Sequence, residues 1–525
     1  MNIAGVLEEQ ARRFGDRDAI VERQRSITFR ELDRAAASAA GDLARAGVRP
    51  GMRALVFSPM SIALYTTMIA LFRLRVTAVF VDPSAGRERL NRCVARVRPD
   101  AFVAVPRAHW LRLTSPAIRA IPIKAAIGGG VPGAAAIARR VSDAAASVEP
   151  CDPDTPAIIT FTSGSTGEPK AAVRTHGFLI AQHGALVDSL ELAPGETDLC
   201  TLPIFLLANL ASGVTSVIPD ADLRAPGAID PAPVDAQIRA MRPTRTVASP
   251  AFVARLIDHA VRHGGHLGTF RRFYTGGAPV FPGMLDAIAA VAPNASVVAV
   301  YGSTEAEPIA KIDRRDISAD DRAAMTRGAG LLVGRSASSI QLRILPDRWG
   351  TPVGPWTVAD LERDTLGPDE VGEIVVTGEH VLSGYLDGHG DEETKIKVGE
   401  HVWHRTGDAG YLDAHGRLWL LGRCSAKSND SEGVLYPLAV ECAAGAVPGV
   451  GRTAFVMHRQ RRLLAVEVEG DVAAVRAELM ERLAWAKLAD VVIVPRIPVD
   501  RRHNAKVEYP ALLQVLDRAR SPDIS

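Results

Sequence analysis

Helix-like and strand-like segments alternate along roughly the first four hundred residues, a length well beyond that of a usual single domain. Residues 29–46 form an Ala-rich helical segment, and the short apolar segments 54–57 and 101–105 are typical of strands. This alternation predicts an α/β fold of layered sheets and helices with parallel strands. Residues 119–147 are rich in Gly and Ala without a clear period, so we predict a loosely packed connection there.

The charge balance and the cysteines restrict the class of protein. The chain has 525 residues, with 61 Lys plus Arg against 60 Asp plus Glu, so no net field recruits nucleic acid or anionic lipid. The five cysteines are scattered and odd in number, which predicts free thiols in a reducing compartment. The first residues include acids, unlike a signal peptide, and the apolar stretch 62–72 is too short to cross a bilayer. We therefore expect a cytoplasmic protein without a membrane span.

Residues 161–170, Phe-Thr-Ser-Gly-Ser-Thr-Gly-Glu-Pro-Lys, directly follow an apolar, strand-like segment. The two glycines let successive backbone N–H groups converge on one anion, and four hydroxyls and Lys170 add donors and a positive charge. The spacing is not that of a Walker A motif. A mobile Ser/Gly linker is the alternative, but a linker needs neither the closing Pro-Lys nor the strand before it. The pattern predicts a phosphate-binding loop.

Four further clusters follow this loop along the chain. Gly-Gly-Ala-Pro at 276–279 is a tight turn that lets backbone pass close to a flat ligand, and Tyr-Gly-Ser-Thr-Glu at 301–305 closes a strand. His-Arg-Thr-Gly-Asp at 404–408 puts an acid beside a glycine turn, and Asp-Arg-Arg-His-Asn-Ala-Lys at 500–506 is near the C-terminus. Each alone is explained as a turn, a strand end, a hairpin or a solvated tail. Their order and separations argue against coincidence.

Over essentially its whole length the chain resembles the adenylate-forming superfamily of acyl-CoA synthetases, adenylation domains and luciferases. The resemblance implies a large N-terminal ATP- and acyl-binding domain over 1–422, a hinge over 423–430, and a small mobile α+β C-terminal domain over 431–525. The composition also shifts at this hinge, where a polar run lacks any apolar period. The implied ligands are ATP, Mg²⁺ and a small-molecule carboxylic acid.

The resemblance also implies roles for individual residues. The residues of the loop that would hold the ATP phosphates are Thr162, Ser163, Gly164, Ser165, Thr166, Gly167 and Lys170. The residues that would contact the adenosine are Gly277, Ala278, Pro279, Tyr301, Asp408 and Arg423, with Tyr301 on the adenine and Asp408 on the ribose hydroxyls.

The implied catalytic residues are Thr304, Glu305 and Lys506. Thr304 would bind the α-phosphate, Glu305 would hold Mg²⁺, and Lys506 would bridge the carboxylate and the α-phosphate. Attack of a carboxylate on ATP joins two anions, so the barrier falls only when charge is neutralised and the partners are held in line. A lysine on a separate domain would also let closure exclude water from a hydrolysable acyl-adenylate.

Two departures from the family pattern bear on the acceptor. Ala171 follows the loop lysine where glycine is common, which is a mild change. Many relatives carry an acidic hinge residue and then a Lys-x-x-Gly loop that enters the pantetheine tunnel, whereas this chain has Ser425, Ala426 and a different segment over 427–433. The half-reaction with coenzyme A is therefore in question, although a tolerant hinge and a variable loop would explain the same residues.

Other strings are similar to the β-lactone synthetases of olefin biosynthesis. These strings lie at 81–83, 202–205, 215–220, 248–251, 422–425 and 502–506. In that branch ATP activates a 3-hydroxy fatty acid, whose own hydroxyl closes the lactone ring. The alternatives are a ligase that passes the acid to coenzyme A or a carrier protein, and a non-catalytic nucleotide-binding scaffold. His176 is either the base for the hydroxyl or a structural residue.

Overall fold

A computed structural model describes residues 1–82, 86–137, 147–163, 169–500 and 506–519. The α-helices within these ranges are α1 (Ile3–Arg13), α2 (Phe29–Arg45), α3 (Ile62–Arg73), α4 (Arg87–Val97), α5 (Leu111–Thr114), α6 (Pro116–Ala120), α7 (His176–Leu190), α8 (Pro203–Ala211), α9 (Pro231–Met241), α10 (Pro250–Arg262), α11 (Pro282–Val291), α12 (Ala319–Thr326), α13 (Val358–Asp364), α14 (Asp391–Thr394), α15 (Pro437–Ala444), α16 (Val472–Arg482) and α17 (Tyr509–Ala519).

The strands within the same ranges are β1 (Asp18–Glu22), β2 (Arg25–Thr28), β3 (Arg53–Phe57), β4 (Thr77–Phe80), β5 (Ala101–Ala104), β6 (Ile123–Ile127), β7 (Ala135–Ile137), β8 (Pro156–Ser163), β9 (Pro169–Thr175), β10 (Thr197–Cys200), β11 (Thr215–Ile218), β12 (Arg245–Ala248), β13 (Arg272–Gly276), β14 (Ser296–Ser303), β15 (Ala306–Asp313), β16 (Leu331–Ser336), β17 (Gln341–Leu345), β18 (Gly372–Thr377), β19 (Lys395–Val398), β20 (His401–Leu412), β21 (Leu418–Arg423), β22 (Ser428–Asp430), β23 (Gly433–Leu435), β24 (Val450–His458), β25 (Arg461–Val468) and β26 (Asp490–Ile493).

The first large sheet has seven strands in the order β7-β6-β5-β3-β4-β8-β9. Its strands are parallel from β7 to β8, and β9 pairs antiparallel with β8. Strands β6 and β7 lie inside residues 119–147, so the prediction of a loosely packed connection is wrong for 123–127 and 135–137. Both strands are short and rich in Ala, a residue that strands disfavour, so the sequence did not reveal them.

The second large sheet runs in the order β17-β18-β20-β21-β16-β15-β14-β13-β12-β10-β11-β1-β2, with β19 beside β20. Its strands are parallel from β1 through β11, β10, β12 and β13 to β14. From β14 onward β15, β16, β21 and β20 pair antiparallel. The predicted α/β fold is confirmed, and the sheet is mixed where parallel strands were expected.

Helices lie between the two large sheets and on their outer faces. Successive residues of a strand point to opposite faces, so Ala54 and Val56 join the core between the sheets while Leu55 and Phe57 join the outer core under α4 and α6. Helices α1, α2, α3, α7 and α8 supply the inner core, and α9, α10 and α11 cover the other face of the second sheet. The result is a five-layer arrangement of helices and sheets.

Capping fixes where the helices of the inner layer begin. Thr28 accepts from the Glu31 N–H at 3.2 Å, and the Glu31 carboxylate accepts from the Thr28 N–H at 2.9 Å. This capping box satisfies backbone donors that the first turn of α2 leaves open. Ser61 caps α3 in a similar way through the Leu64 N–H. Both helices are therefore set by local sequence before they pack between the sheets.

A small unit follows residue 449, with the three-stranded sheet β24-β25-β26 packed by α16 and α17. Strands β24 and β25 pair antiparallel, and α16 follows them. Helix α15 is shared, because Leu438 and Cys442 join the core of the second large sheet while Val440 joins the core of the small unit. The limits 1–422, 423–430 and 431–525 stay a prediction.

The structure bears on the state of the cysteines and on membrane-spanning helices. The five cysteines, Cys93, Cys151, Cys200, Cys424 and Cys442, are free thiols, as predicted. Among the described residues no helix combines the length and apolar character needed to cross a bilayer.

Candidate active site

Residues 381–385 connect the two large sheets where their strands end. Ala172 of β9 forms an isolated antiparallel bridge with Tyr385, and Ala306 of β15 forms one with Val381. The turn at 304–305 between β14 and β15 lies at this junction. The second strand of the predicted phosphate hairpin and the predicted metal residue are therefore brought to one edge of the molecule.

The Glu305 carboxylate is held by an oriented donor and by nearby positive charge. The Tyr385 hydroxyl donates to Glu305 Oε1 at 2.8 Å. Burial raises the pKa of Glu305, but His404, the Tyr385 hydrogen bond and the Lys395 ammonium together lower it to about 2. The group is thus an anion at neutral pH. Carboxylates of this kind, together with phosphate oxygens of a substrate, are the ligands that Mg²⁺ prefers.

A lysine and a histidine that the sequence analysis did not assign lie behind Glu305. The Lys395 Nζ atom is 3.3 Å from His404 Nδ1 and 5.5 Å from the centroid of the Tyr385 ring, and it donates to the Leu382 carbonyl oxygen. Burial lowers the pKa of Lys395 to about 8, and the Glu305 charge opposes this shift. Burial and Lys395 lower the pKa of His404 to about 3. At neutral pH a neutral imidazole therefore faces a largely protonated amine.

Lys170 approaches the same tyrosine from the first sheet. Its Nζ atom is 2.8 Å from Glu393 Oε2 on α14 and 5.8 Å from the Tyr385 ring centroid, and its side chain is only 5% exposed. Gly390 makes room for it, because a Cβ there would come within 2.6 Å of the Lys170 Cδ atom. The cation predicted to bind phosphate is therefore placed beside the Glu305 cluster and has a carboxylate partner.

The other end of the site is formed by Tyr301, Asp408 and Arg423. Asp408 and Arg423 are opposite each other on β20 and β21, and Arg423 Nε is 3.2 Å from Asp408 Oδ1. The Tyr301 hydroxyl donates to Asp408 Oδ2 at 2.7 Å. Burial first, and then the Asp408 charge, raises the pKa of Tyr301, so its hydroxyl remains a donor. Three residues predicted at the nucleoside are brought together.

The glycine turn after β13 lies next to this group. Gly276 pairs with Val300 of β14, and a Cβ on Gly276 would meet the Val300 carbonyl oxygen at 2.4 Å. Gly277 has a φ of +85°, which L side chains rarely adopt. Ala278 and Pro279 follow it directly. The close approach of β13 to β14 therefore requires glycine, and it carries residues 277–279 to the strand end that bears Tyr301.

Thr304 is anchored through its backbone. The Arg174 guanidinium of β9 donates to the Thr304 carbonyl oxygen at 2.9 Å, and the Thr304 residue is half-buried. Arg174 was not singled out from the sequence, because its distance along the chain gave no sign of this contact. It fixes the turn that holds both Thr304 and Glu305.

The predicted phosphate loop is only partly within the described residues. Thr162 pairs with Lys170, and Ser163 pairs with Pro169, as β8 and β9 form an antiparallel hairpin. Gly164, Ser165, Thr166 and Gly167 lie outside the described residues. The structure thus gives the two strands that carry the loop, and the roles of the loop residues stay a prediction.

Lys506 belongs to the C-terminal unit, and charges of the site act on its ammonium. Its surface is exposed, yet enough protein surrounds the ammonium that burial lowers its pKa, as does Arg423, while the Asp408, Asp500 and Glu305 charges oppose the shift. The Lys506 N–H donates to Asp500 Oδ1 at 2.9 Å. Lys506 therefore lies within electrostatic reach of both ends of the site.

The hinge region forms a short turn and a hairpin. Residues Cys424–Ala426 make a 3-10 turn, followed by β22 and β23. Lys427 Nζ is 2.7 Å from Asp347 Oδ2, which also accepts from the Tyr436 hydroxyl at 2.8 Å. The segment that replaces the family's Lys-x-x-Gly loop is thus tied to the large body through Asp347.

His176 has a structural role. It is fully buried, its Nδ1 atom accepts from the Ile3 N–H at 3.2 Å, and its ring packs edge-on against Phe72 at 5.8 Å between centroids. Burial lowers its pKa to about 4. Of the two interpretations of His176, the structural one holds.

Among the described residues no three His, Cys, Asp or Glu side chains form a group that could hold a metal by themselves.

Comparison with known proteins identifies the family. Residues 7–386 match the family model described as AMP-binding enzyme. The chain belongs to this family. It is 34% identical over 504 residues to the olefin beta-lactone synthetase of Stenotrophomonas maltophilia, which covers 92% of this chain and 90% of that protein. The resemblance drawn from the motifs is confirmed, and this AMP-binding enzyme is an AMP-forming ligase.

Two less similar proteins, a CoA ligase and a solved structure, bear on the acyl acceptor and on the fold. The chain is 29% identical over 384 residues to the indoleacetate–CoA ligase of Aromatoleum aromaticum, covering 69% of this chain and 68% of that protein. The crystal structure of ATP-bound MatB from Rhodopseudomonas palustris matches with a TM-score of 0.79 at 20% identity, over 98% of this chain and 99% of that one. The fold is therefore that of adenylate-forming enzymes, and CoA ligases are among the relatives.

Proposed function

We propose that this enzyme joins the carboxylate of a 3-hydroxy acid to AMP and then closes the acyl-adenylate to a β-lactone. In the first step a carboxylate oxygen attacks the α-phosphorus of ATP and pyrophosphate leaves. In the second step the hydroxyl oxygen at C3 bonds to the acyl carbon, the bond to the phosphate oxygen breaks, and AMP leaves. The observation that carries the proposal is 34% identity, over 92% of the chain, to an olefin beta-lactone synthetase.

The nucleoside would bind at Tyr301, Asp408 and Arg423. Asp408 lies within β20, and Arg423 at the end of β21 holds one of its carboxylate oxygens at 3.2 Å. A carboxylate can accept hydrogen bonds from two neighbouring ribose hydroxyls. Ligand binding would require the Tyr301 hydroxyl, now 2.7 Å from Asp408, to share or give up this acceptor while its ring remains beside the 277–279 turn.

The phosphates would bind between Lys170 and Glu305. When bound, Mg²⁺ would neutralise charge on the phosphate oxygens, and the ionised Glu305 carboxylate, oriented by Tyr385, would be its protein ligand. Lys170 would exchange its Glu393 partner for phosphate. The backbone of Thr304 is fixed by Arg174, so the Thr304 hydroxyl would meet the α-phosphate from a rigid turn.

Lys506 would neutralise the carboxylate and the α-phosphate during adenylation. Charges at both ends of the proposed ATP site act on its ammonium, since Asp408 and Glu305 attract it and Arg423 repels it. A single positive charge aimed at charge that develops in the transition state is worth about 100-fold to 1,000-fold in rate.

A thiol acceptor is the second candidate, and the relative named as an indoleacetate–CoA ligase favours it. Two observations argue against a thiol acceptor. Lys427 Nζ donates to Asp347 Oδ2 at 2.7 Å, and residues 427–433 lack the family's Lys-x-x-Gly spacing. We therefore propose the internal hydroxyl, which needs no external acceptor, as the nucleophile of the second step.

The test is incubation with ATP, Mg²⁺ and a 3-hydroxy fatty acid without any thiol. We expect AMP and a β-lactone, while the matched acid lacking the hydroxyl supports pyrophosphate exchange into ATP without lactone. Lys506→Ala should lose about 100-fold or more of the exchange rate, and Lys397→Ala, at an exposed lysine, should keep it. AMP release that depends wholly on coenzyme A or a carrier protein would contradict the lactone proposal while leaving adenylation intact.

A further inference from the structure

The near-zero net charge of the whole chain conceals one strongly basic surface. Residues 86–137 contain nine Lys or Arg and only two acids, a net charge of +7 in a chain whose total is +1. From 101 to 137 there is no Asp or Glu at all. The expectation that no field recruits anionic lipid therefore holds for the chain as a whole but not for this region.

These residues form strands β5, β6 and β7 of the seven-stranded sheet and the outer layer of helices that covers them. Helices α4 and α6 pack over the sheet with the 3-10 helix Pro106–Trp110 and α5 beside them. The Ser115 hydroxyl at the start of α6 donates to Asn91 Oδ1 of α4 at 2.6 Å. The positive charges of the layer are thus carried on elements that pack together.

Two large apolar side chains project from the middle of this layer. Trp110 is 71% exposed and Leu113 is 63% exposed. They are three residues apart on successive helical turns, so they lie on the same side. An exposed Trp and an exposed Leu on the same side put adjoining apolar area within a basic surface.

The basic side chains around Trp110 and Leu113 donate to backbone carbonyls, and the described residues show no ion pair for Arg112, Arg119 or Lys124. The Arg112 guanidinium donates to the Pro132 carbonyl oxygen at 3.1 Å. The Arg119 guanidinium donates to the Leu113 carbonyl oxygen at 2.8 Å, and Lys124 donates to the Arg119 carbonyl oxygen at 3.3 Å. A carbonyl orients a cation without neutralising its charge.

Arg107 is the basic residue of this group with an acid nearby. Its charge lowers the pKa of Asp222, but less than the hydrogen bond from Arg224 does. Asp222 accepts hydrogen bonds from Arg224, so Arg107 is not its main partner. The surface around Trp110 remains positive.

We propose that Arg107, Trp110, Arg112, Leu113, Arg119 and Lys124 form a membrane-docking patch that binds the surface of an anionic phospholipid bilayer. Tryptophan is favoured at the headgroup level, an exposed leucine gains by entering the acyl boundary, and arginines and lysines pair with lipid phosphates. The aliphatic Leu113 beside the tryptophan favours lipid over a single-stranded nucleic acid, whose bases stack on aromatic side chains along a basic groove.

Docking of this kind would give the enzyme access to apolar acids that partition into a bilayer. The patch is on the outer face of the first sheet and uses none of the residues proposed to bind ATP, although Arg96 of α4 in the same layer donates to the Leu386 carbonyl oxygen beside the 381–385 junction. Membrane binding is therefore independent of ATP and of the identity of the acyl acceptor, and it can be measured without any reaction.

The experiment is cosedimentation of the full chain with extruded vesicles, without ATP. We expect binding to equimolar phosphatidylcholine and phosphatidylglycerol, little binding to phosphatidylcholine alone, and release by high salt. Arg107→Glu with Arg112→Glu should weaken binding by about tenfold or more, since each basic residue near the surface contributes measurably. Trp110→Ser with Leu113→Ser should leave only weak, fully salt-sensitive binding.

The matched control is Arg239→Glu with Arg262→Glu, the same charge change at exposed arginines of α9 and α10. This variant should bind anionic vesicles as the unmodified chain does. Binding that is equal on neutral and anionic vesicles, or unchanged in both patch variants, would overturn the proposal. Binding to duplex DNA or heparin without binding to vesicles would also overturn the proposal, because the basic residues would then bind a polyanion other than a lipid surface.

Discussion

Glu305 in the hairpin turn of the large body and Glu441 on α15 of the C-terminal region are both enclosed by protein, yet their pKa values move apart. Burial raises both, but Tyr385, His404 and Lys395 around Glu305 reverse the effect and bring its pKa to about 2. Burial raises the pKa of Glu441 to about 7, opposed only by the Phe455 N–H, which donates to Oε1 at 2.9 Å.

The difference shows how hydrogen-bond donors and cations around a buried carboxyl group change its pKa. Enclosure alone disfavours the charged form of a carboxyl group, and only oriented donors and opposite charges restore it. Glu305 has both, so it can meet a cation as an anion. Glu441 has one neutral donor, so it is protonated for part of the physiological range and bears no sign of a ligand role.

The largest expected effect is that of Glu305→Gln. The substitution keeps the shape and removes the charge that would hold Mg²⁺, so pyrophosphate exchange into ATP should fall about 1,000-fold at saturating Mg²⁺. Glu441→Gln should keep the rate within about twofold, since Glu441 is outside the site.

If Glu305→Gln kept an exchange rate within tenfold of that of the unmodified enzyme, Glu305 would not be a catalytic carboxylate, and it would not differ from Glu441 in function. Glu400→Gln, at an exposed position, controls for loss of one carboxylate. The folded state of each variant is checked by its thermal unfolding midpoint, so that a lost rate is not a lost fold.

The next effect concerns stability and pH at Glu441. Its pKa is about 7 in the folded chain against 4.5 in the unfolded one, so between these values the folded state holds a proton that the unfolded state has lost. Stability from this group is fully present below the unfolded pKa and is lost as the pH rises through about 7. The loss between about pH 4.5 and pH 8 is about 2 to 3 kcal/mol.

Glu441→Gln should abolish this pH dependence. The measurement is the urea unfolding of the C-terminal region in both proteins at about pH 5 and about pH 8, and the quantity compared is the change between the two pH values. This double difference cancels any cost of the new amide group. An equal change in both proteins would mean that Glu441 titrates normally and that the comparison fails.

A smaller effect is expected for Tyr385→Phe. The variant keeps the ring that Lys170 and Lys395 approach and removes the donor to Glu305 Oε1. A hydrogen bond to a charged group contributes about 1.5 kcal/mol or more, so kcat/KM for ATP should fall about tenfold. The Mg²⁺ concentration for half-maximal rate should rise, which a purely structural role would not cause. Tyr411→Phe, whose hydroxyl donates to the Ala329 carbonyl oxygen, is the matched control.

The nucleoside end of the site could be predicted from the sequence because its residues stand in recognisable motifs in the order of the family, although Tyr301 and Asp408 are 107 residues apart. Asp408 and Arg423 are on adjacent strands of one hairpin, and Tyr301 ends a strand after an apolar run. Local patterns of this kind are visible in a sequence. The α/β fold was predicted for the same reason.

The cluster behind Glu305 could not be predicted in this way. Tyr385, Lys395 and His404 reach Glu305 through an isolated bridge and through the pairing of β19 with β20, contacts that no local period encodes. His404 was visible only as the first residue of a motif, and Lys395 only as a lysine after a short acidic segment. Burial lowers the pKa values of Lys395 and His404. The elements that bury them are brought together by the topology of the sheet, which a local pattern does not reveal.

The smallest expected effect is that of Arg423→Lys, which tests whether the nucleoside end depends on charge as strictly as Glu305 does. Arg423 pairs with Asp408 at 3.2 Å, but its side chain is 49% exposed, so solvent screens the pair and its free energy is about 1 kcal/mol or less. Lysine keeps the charge and loses the fork that also donates to the Thr406 carbonyl oxygen at 3.0 Å. We expect the KM for ATP to rise about threefold with kcat unchanged, measured by pyrophosphate exchange at varied ATP. A fall in kcat as large as that of Tyr385→Phe would mean that Arg423 acts on the reacting groups, and the two ends of the site would then be alike in their dependence on charge.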